Sequence, residues 1–154
     1  MEAEIPQFGL LVSGVEYILR PGGYVVIFSS LGEVAVVSTP LGLYLPGGGQ
    51  DLSESPEEAA VRETLEECGL QISLGKRIGI ADELVFAAAE SNYYRKRGVF
   101  FFAQVIGRVN TGEPDHKLIW ITSERAVSEL RHKSQRWAVY QACRLTSIAP
   151  DTAL

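Results

Sequence analysis

From Leu43 the chain reads Leu-Tyr-Leu-Pro, then three glycines, Gly47 to Gly49, then a segment that announces a helix. Ser55 is placed to cap, Pro56 suits the first helical position, and Glu58 stands three residues after the serine, where a capping box closes. Gly69 is the expected stop, so the spacing predicts a helix from about Pro56 to Cys68. An extended apolar stretch, a glycine turn and an acidic helix in immediate succession confine the chain to folds in which a strand hands over to a helix through a turn that a ligand can approach closely.

Residues three and four apart share a helical face, so Glu63, Glu66 and Glu67 project together, while Val61, Thr64, Leu65 and Cys68 turn toward a core. Carboxylates crowded in this way repel one another. Arg62 can pair with Glu58 or Glu66 and answers part of the repulsion. A divalent cation would answer the rest, and hard oxygen ligands suit Mg²⁺, with Mn²⁺ as a substitute. An acidic amphipathic helix is most often a solvated face. The glycine turn directly upstream is what turns the reading toward a metal and phosphate site.

The spacing from Gly48 to Leu70 resembles the signature of the Nudix hydrolases: glycine, five residues, Glu54, seven residues, Arg62-Glu63, two residues, Glu66-Glu67, one residue, Gly69 and an apolar residue. Seven fixed positions agree; by average residue usage a chance match at a given start is on the order of 10⁻⁸. Three positions depart from the pattern. Thr64 stands where a larger aliphatic residue is usual, Ser53 where glycine is common, and Asp51 where many members have Glu.

The resemblance implies an α/β (α+β) fold, a mixed β-sheet between helices, with the signature as a loop-helix-loop on the sheet. It implies Glu63, Glu66 and Glu67 as metal ligands, with the Gly47 carbonyl as a further one. Glu54 and Arg62 would orient them. The implied reaction is Mg²⁺-dependent hydrolysis of a diphosphate linkage in a nucleoside diphosphate joined to another group, by water attack on phosphorus. For the general base, Glu63, Glu90, Glu113 and Asp115 all stay open. Such domains frequently dimerise, so a homodimer is compatible with the resemblance.

The rest of the chain is read more coarsely. Val15 to Leu19, Tyr24 to Ser29 and Glu33 to Ser38 are expected as strands, the last two joined at Ser30-Leu31-Gly32. Gln71 to Ala81 should return as one or two short strands, and Glu83 to Glu90 fits strand or helix. Val99 to Val109, with Phe100 to Phe102, reads as a buried central strand. The run Tyr93-Tyr94-Arg95-Lys96-Arg97-Gly98 reads as a hairpin tip closed by Gly98; alternatively Tyr94, Arg95 and Arg97 hold a distal phosphate of the substrate. Leu118 to Ile121 should be extended. Ser123 looks like the cap of a short helix to Arg131, and Ser134 of a final helix through about Leu145. His132 reads as a surface residue at a helix end, and the tail from about Ser147 as loose.

At 154 residues the chain is expected to be a single domain. A net charge of −5 argues against a general nucleic-acid binder. The start Met-Glu-Ala-Glu lacks the basic region of a secretory signal, and no apolar run approaches membrane-spanning length. Cys68 and Cys143, far apart and in no Cys-x-x-Cys, suggest reduced thiols in a cytoplasmic protein. His116 and His132 have no metal-ligand spacing. No phosphate-binding P-loop, serine elbow or dinucleotide fingerprint is present. Against the hydrolase stand a domain of the same fold that binds or senses a nucleotide without cutting it, and an isomerase acting on an isoprenoid diphosphate. The substrate stays open among nucleoside triphosphates, dinucleoside polyphosphates and nucleotide sugars. The proline that often marks ADP-ribose members about fifteen residues past the signature has no counterpart between Gln71 and Phe102, and the motifs of NADH and coenzyme A members are not visible.

Overall fold

A computed structural model describes residues 4–110 and 113–147. Its main sheet has five strands in the order β1-β6-β7-β2-β5: β1 (Gln7–Gly9), β2 (Ile18–Val26), β5 (Gly47–Gly49), β6 (Leu70–Ala87) and β7 (Asn92–Arg108). β1 runs parallel to β6 and β2 parallel to β7, whereas β6–β7 and β2–β5 are antiparallel. A second sheet, β4-β3-β8, is antiparallel and comprises β3 (Val34–Thr39), β4 (Gly42–Tyr44) and β8 (Lys117–Ile121). The helices are α1 (Pro56–Cys68), α2 (Ser123–Glu129) and α3 (Lys133–Thr146). The mixed sheet between helices is therefore present.

Alternation along the central strands sorts the core into two layers. Val25, Ile27 and Phe101 pack with Ala60 of α1, whereas Val26 and Phe100 pack with Ala138 and Val139 of α3. The helices thus lie on opposite faces, and the expected central strand is β7.

Helix α1 forms where its local signals put it. Glu58 N–H donates to Ser55 Oγ, Ser55 N–H donates to Glu58 Oε1, and Gly69 closes the helix in the left-handed region at φ 68°. The buried stripe is narrower than the periodicity suggests: Ala59, Ala60 and Thr64 are buried, Leu65 and Cys68 half-buried, and Val61 exposed. Thr64 is fully buried, and its Oγ1 has no hydrogen-bond partner. An unsatisfied buried hydroxyl costs about 1–3 kcal/mol. Thr64→Val keeps the shape and removes the orphan, so its urea midpoint should rise by the equivalent of about 1 kcal/mol; an unchanged or lower midpoint would show that the hydroxyl is satisfied.

Five expectations are corrected. The basic run 93–98 lies inside β7 rather than at a tip, because the turn falls earlier. Glu90 N–H donates to Ala87 O, Ser91 N–H donates to Ala88 O, and Ser91 takes φ 53°. Gly98 serves packing: a Cβ there would stand 2.8 Å from the Phe100 ring. Correspondingly β6 is one long strand, with register shifts at Gln71/Ile72 and between Leu74 and Gly79. Ser134 is not a cap. α3 follows His132, and the Ser134 amide donates to Glu83 Oε1 at 2.8 Å, so a carboxylate from β6 meets the helix start. His132 is half-buried against the Tyr44 ring, with centroids 5.5 Å apart, and burial holds its imidazole down at about 4. Helix α2 is capped by Thr122 Oγ1, one residue before the expected serine. The tail beyond Ser147 lies outside the described residues.

Candidate active site

Two glycines bring α1 down onto the edge of the sheet. A Cβ on Gly23 of β2 would lie 2.0 Å from Pro56 O, and one on Gly48 of β5 would lie 2.6 Å from the Glu63 carboxylate. Only hydrogen atoms fit in either place. The helix backbone therefore rests on β2, and its acidic face is pressed against β5.

That contact makes the glutamates unequal. Glu67 is largely buried, its side chain 14% exposed, and its Oε1 accepts the Gly47 N–H at 3.2 Å. Burial raises its carboxyl to about 7, and the Gly47 N–H only partly offsets this. Glu63 is also raised by burial, with Arg62 opposing. Glu66 faces outward, with 54% of its side chain exposed.

Arg62 organises the group. Its Nε and one terminal nitrogen grip the Glu54 carboxylate at 2.7 and 2.9 Å, and that same terminal nitrogen reaches Gly49 O at 3.1 Å. The other terminal nitrogen donates to both Glu63, at 2.8 Å, and Glu66, at 3.1 Å. Hydrogen bonding from Arg62 holds Glu54 down at about 2. Asp51 lies 3.6 Å from the same guanidinium, and Gln50 Nε2 donates to Glu54 O at 2.7 Å. One cation thus faces four carboxylates, those of Glu54, Glu63, Glu66 and Asp51, Glu58 being turned back into the capping box.

The donor set fits a hard divalent cation. Carboxylate oxygens from Glu63 and Glu67, with Glu66 beside them, border the glycine backbone of β5. Burial holds the Glu67 carboxyl up at about 7, and a cation bound beside it would favour its charged form.

The candidate bases separate. The turn at 113–116 docks on the end of α1, Glu113 N–H donating to Glu67 O at 3.3 Å and His116 Nε2 lying 3.9 Å from Glu67 Oε2. Glu113 and Asp115 both meet His116 Nδ1, at 3.2 and 3.0 Å. Glu90 is not brought to this group. It accepts the Tyr94 hydroxyl at 2.6 Å, at the β6–β7 turn, and pairs with Arg20 at 3.6 Å. Arg95 and Arg97 are engaged as well: Arg97 grips buried Asp82 at 2.9 and 3.0 Å, and Arg95 contacts Gln7 and Asp82.

Sequence reasoning missed three participants. Burial pushes the Tyr24 hydroxyl up to about 12, with the charges of Glu67 and Glu63 acting in the same direction. Gly23 carries the weight of α1, and two adjacent glycines inside a strand are the signal that could have found it. His116 had no sequence signal, because only the docked turn brings it to Glu67.

A family model described as the NUDIX domain matches residues 19–143. Nudix hydrolase 17, mitochondrial, of Arabidopsis thaliana is 33% identical over 114 residues, covering 71% of this chain and 58% of that protein. Diphosphoinositol polyphosphate phosphohydrolase 3-alpha of Mus musculus is 32% identical over 110 residues, covering 66% of this chain and 62% of that protein. The chain thus spans about three-fifths of the length of both relatives. In fold, the MutT protein from Methanosarcina mazei Go1 superposes with a TM-score of 0.70 at 19% identity, covering 86% of this chain and 99% of its own.

Proposed function

The chain belongs to the Nudix family, and from that membership we propose that it is a Mg²⁺-dependent hydrolase of a diphosphate linkage in a nucleoside diphosphate joined to another moiety. The observation that carries the reading is the pressed contact of α1 on β5, with Glu67 buried against the Gly47 amide and Glu63 over Gly48. Glu63, Glu66, Glu67 and the Gly47 carbonyl would hold the cation. When bound, it would neutralise phosphate oxygens and lower the pKa of a coordinated water. Arg62, fixed by Glu54, sets the Glu63 and Glu66 carboxylates at their angles, so most of the rate comes from positioning. Of the open bases, Glu63 and Glu113 stand in or beside the acidic group, whereas Glu90 is engaged elsewhere.

We further read the chain as one Nudix domain acting in the cytoplasm on a small anionic molecule. Among the described residues no helix is long and apolar enough to cross a membrane, and no disulfide joins Cys68 and Cys143. The net charge of −5 suits a substrate held through a cation better than nucleic acid.

The test is phosphate and pyrophosphate release across nucleoside triphosphates, dinucleoside polyphosphates, nucleotide sugars and diphosphoinositol polyphosphates with Mg²⁺, comparing wild type with Glu63→Gln. We expect turnover of at least one class, reduced about a hundredfold or more in the variant. Tight binding of one compound with turnover of none would replace the hydrolase with a nucleotide-sensing domain.

A further inference from the structure

The chain passes from one sheet to the other at Leu45-Pro46, and this crossover lies outside both ladders. β4 ends at Tyr44, opposite Val37 of β3, and β5 begins at Gly47, opposite Tyr24 of β2. Proline has no N–H, so the crossover presents one amide, that of buried Leu45. A buried N–H needs a partner. Here the partner is a side chain 90 residues away: Gln135 of α3, itself only 4% exposed, accepts the Leu45 N–H on Oε1 at 2.8 Å. From the sheet side, Val25 N–H of β2 donates to Pro46 O at 3.0 Å.

The start of α3 is fixed for this contact. The amide of Ser134 donates to Glu83 of β6 at 2.8 Å, and both residues are buried. Arg131 N–H donates to Leu43 O at 2.9 Å, so the entry to α3 meets the crossing chain at Leu43 and again at Leu45. Proline sets its own φ and restricts the residue before it, which makes Leu45-Pro46-Gly47 a stiff segment. A shift at Leu45 is therefore passed on to Gly47. There is no slack at Gly47: its φ is 137°, and a Cβ would lie 2.3 Å from Gly23 O and 2.6 Å from Tyr24 Cα. Its N–H donates to Glu67 Oε1 at 3.2 Å. Two hydrogen bonds, two residues apart on one stiff peptide, thus join α3 to the acidic face of α1 across the sheet.

Resting on the hydrolase reading above, we propose that Gln135 is a positioning residue of the acidic site. It holds the Leu45 amide, and through it the Gly47 peptide, whose N–H orients Glu67 and whose carbonyl would hold the cation. It touches neither the cation nor the substrate. An apolar side chain of the same length would fill the core but leave the crossover without its anchor.

Three variants test this. Gln135→Met keeps the length and removes the acceptor, and Gln135→Asn keeps the amide but draws it back by one methylene. Ala142→Gly loosens α3 within the core, about two turns further along the helix. Exchange of the Gly47 amide proton is followed by NMR in chelator, and the Mn²⁺ dissociation constant is measured by electron paramagnetic resonance without substrate. We expect both Gln135 variants to exchange Gly47 faster and to bind Mn²⁺ about tenfold more weakly. Ala142→Gly should melt earlier and keep wild-type values of both. The proposal is overturned if the Gln135 variants keep wild-type exchange at Gly47, if they bind Mn²⁺ as tightly as wild type does, or if Ala142→Gly shifts both as far. Faster Gly47 exchange in the Gln135 variants of a chain whose wild type binds no Mn²⁺ would remove the hydrolase reading and leave Gln135 holding Gly47.

Discussion

Glu67→Gln is expected to lower hydrolysis about a thousandfold and yet, without divalent metal, to melt later than wild type above neutral pH. Both effects come from the same burial. In the folded chain the Glu67 carboxyl is raised to about 7, with the burial of a charge as the main cause. In the unfolded chain it ionises in the ordinary range near 4.3. Between those values the native state binds the extra proton, so stability falls as pH rises from about 4.5 through 7. The difference amounts to about 4 kcal/mol, and Glu63, raised for the same reason, adds to it in the same direction. Glutamine keeps an acceptor for the Gly47 N–H and removes the charge. In chelator, wild type should therefore melt earlier at pH 8 than at pH 5, and the variant should lose most of that slope. Magnesium at pH 8 should stabilise wild type and leave the variant nearly unmoved. Equal pH slopes in the two proteins would show that Glu67 is not the desolvated group.

That asymmetry among the glutamates separates what the sequence discloses from what it hides. Helix α1 is written in local signals, a serine cap, a proline at the first turn and a terminal glycine, so its bounds follow from residues that touch one another within the segment. Which carboxylate becomes buried does not. Glu63, Glu66 and Glu67 share a helical face by spacing, but the roll of the helix on Gly23 decides that Glu67 goes inward and Glu66 outward. The same holds at α3, where the helix start is met by Glu83, 51 residues earlier on another strand. The β6–β7 turn misled for a different reason. Ala88 and Ala89 carry no turn chemistry, whereas Gly98, which does, is explained by the aromatic rings packed over it.

Gly23→Ala and Gly48→Ala add the same methyl group at two places beneath α1, and their effects should diverge. Neither glycine has a positive φ, so the added cost is contact rather than backbone strain. At Gly23 the new carbon would meet Pro56 O at 2.0 Å, Pro56 C at 2.9 Å and Ala60 N at 3.0 Å. All three are backbone atoms of one rigid helix, which cannot yield locally. The helix must lift from the sheet, parting Ala60 from Val25 and Val99 in the core, at about 3 kcal/mol or more. At Gly48 the carbon meets the far end of the Glu63 side chain at 2.6 Å, and that side chain can swing aside. The fold should survive within about 1 kcal/mol, while the displaced carboxylate leaves its place beside Glu67 and kcat/KM falls about a hundredfold. Urea melting and steady-state kinetics on the two variants separate the effects: Gly23→Ala should lose stability and activity together, Gly48→Ala activity alone. If Gly48→Ala kept wild-type kcat/KM, Glu63 would not need its seat on the glycine backbone, and the acidic site would have to be placed without it.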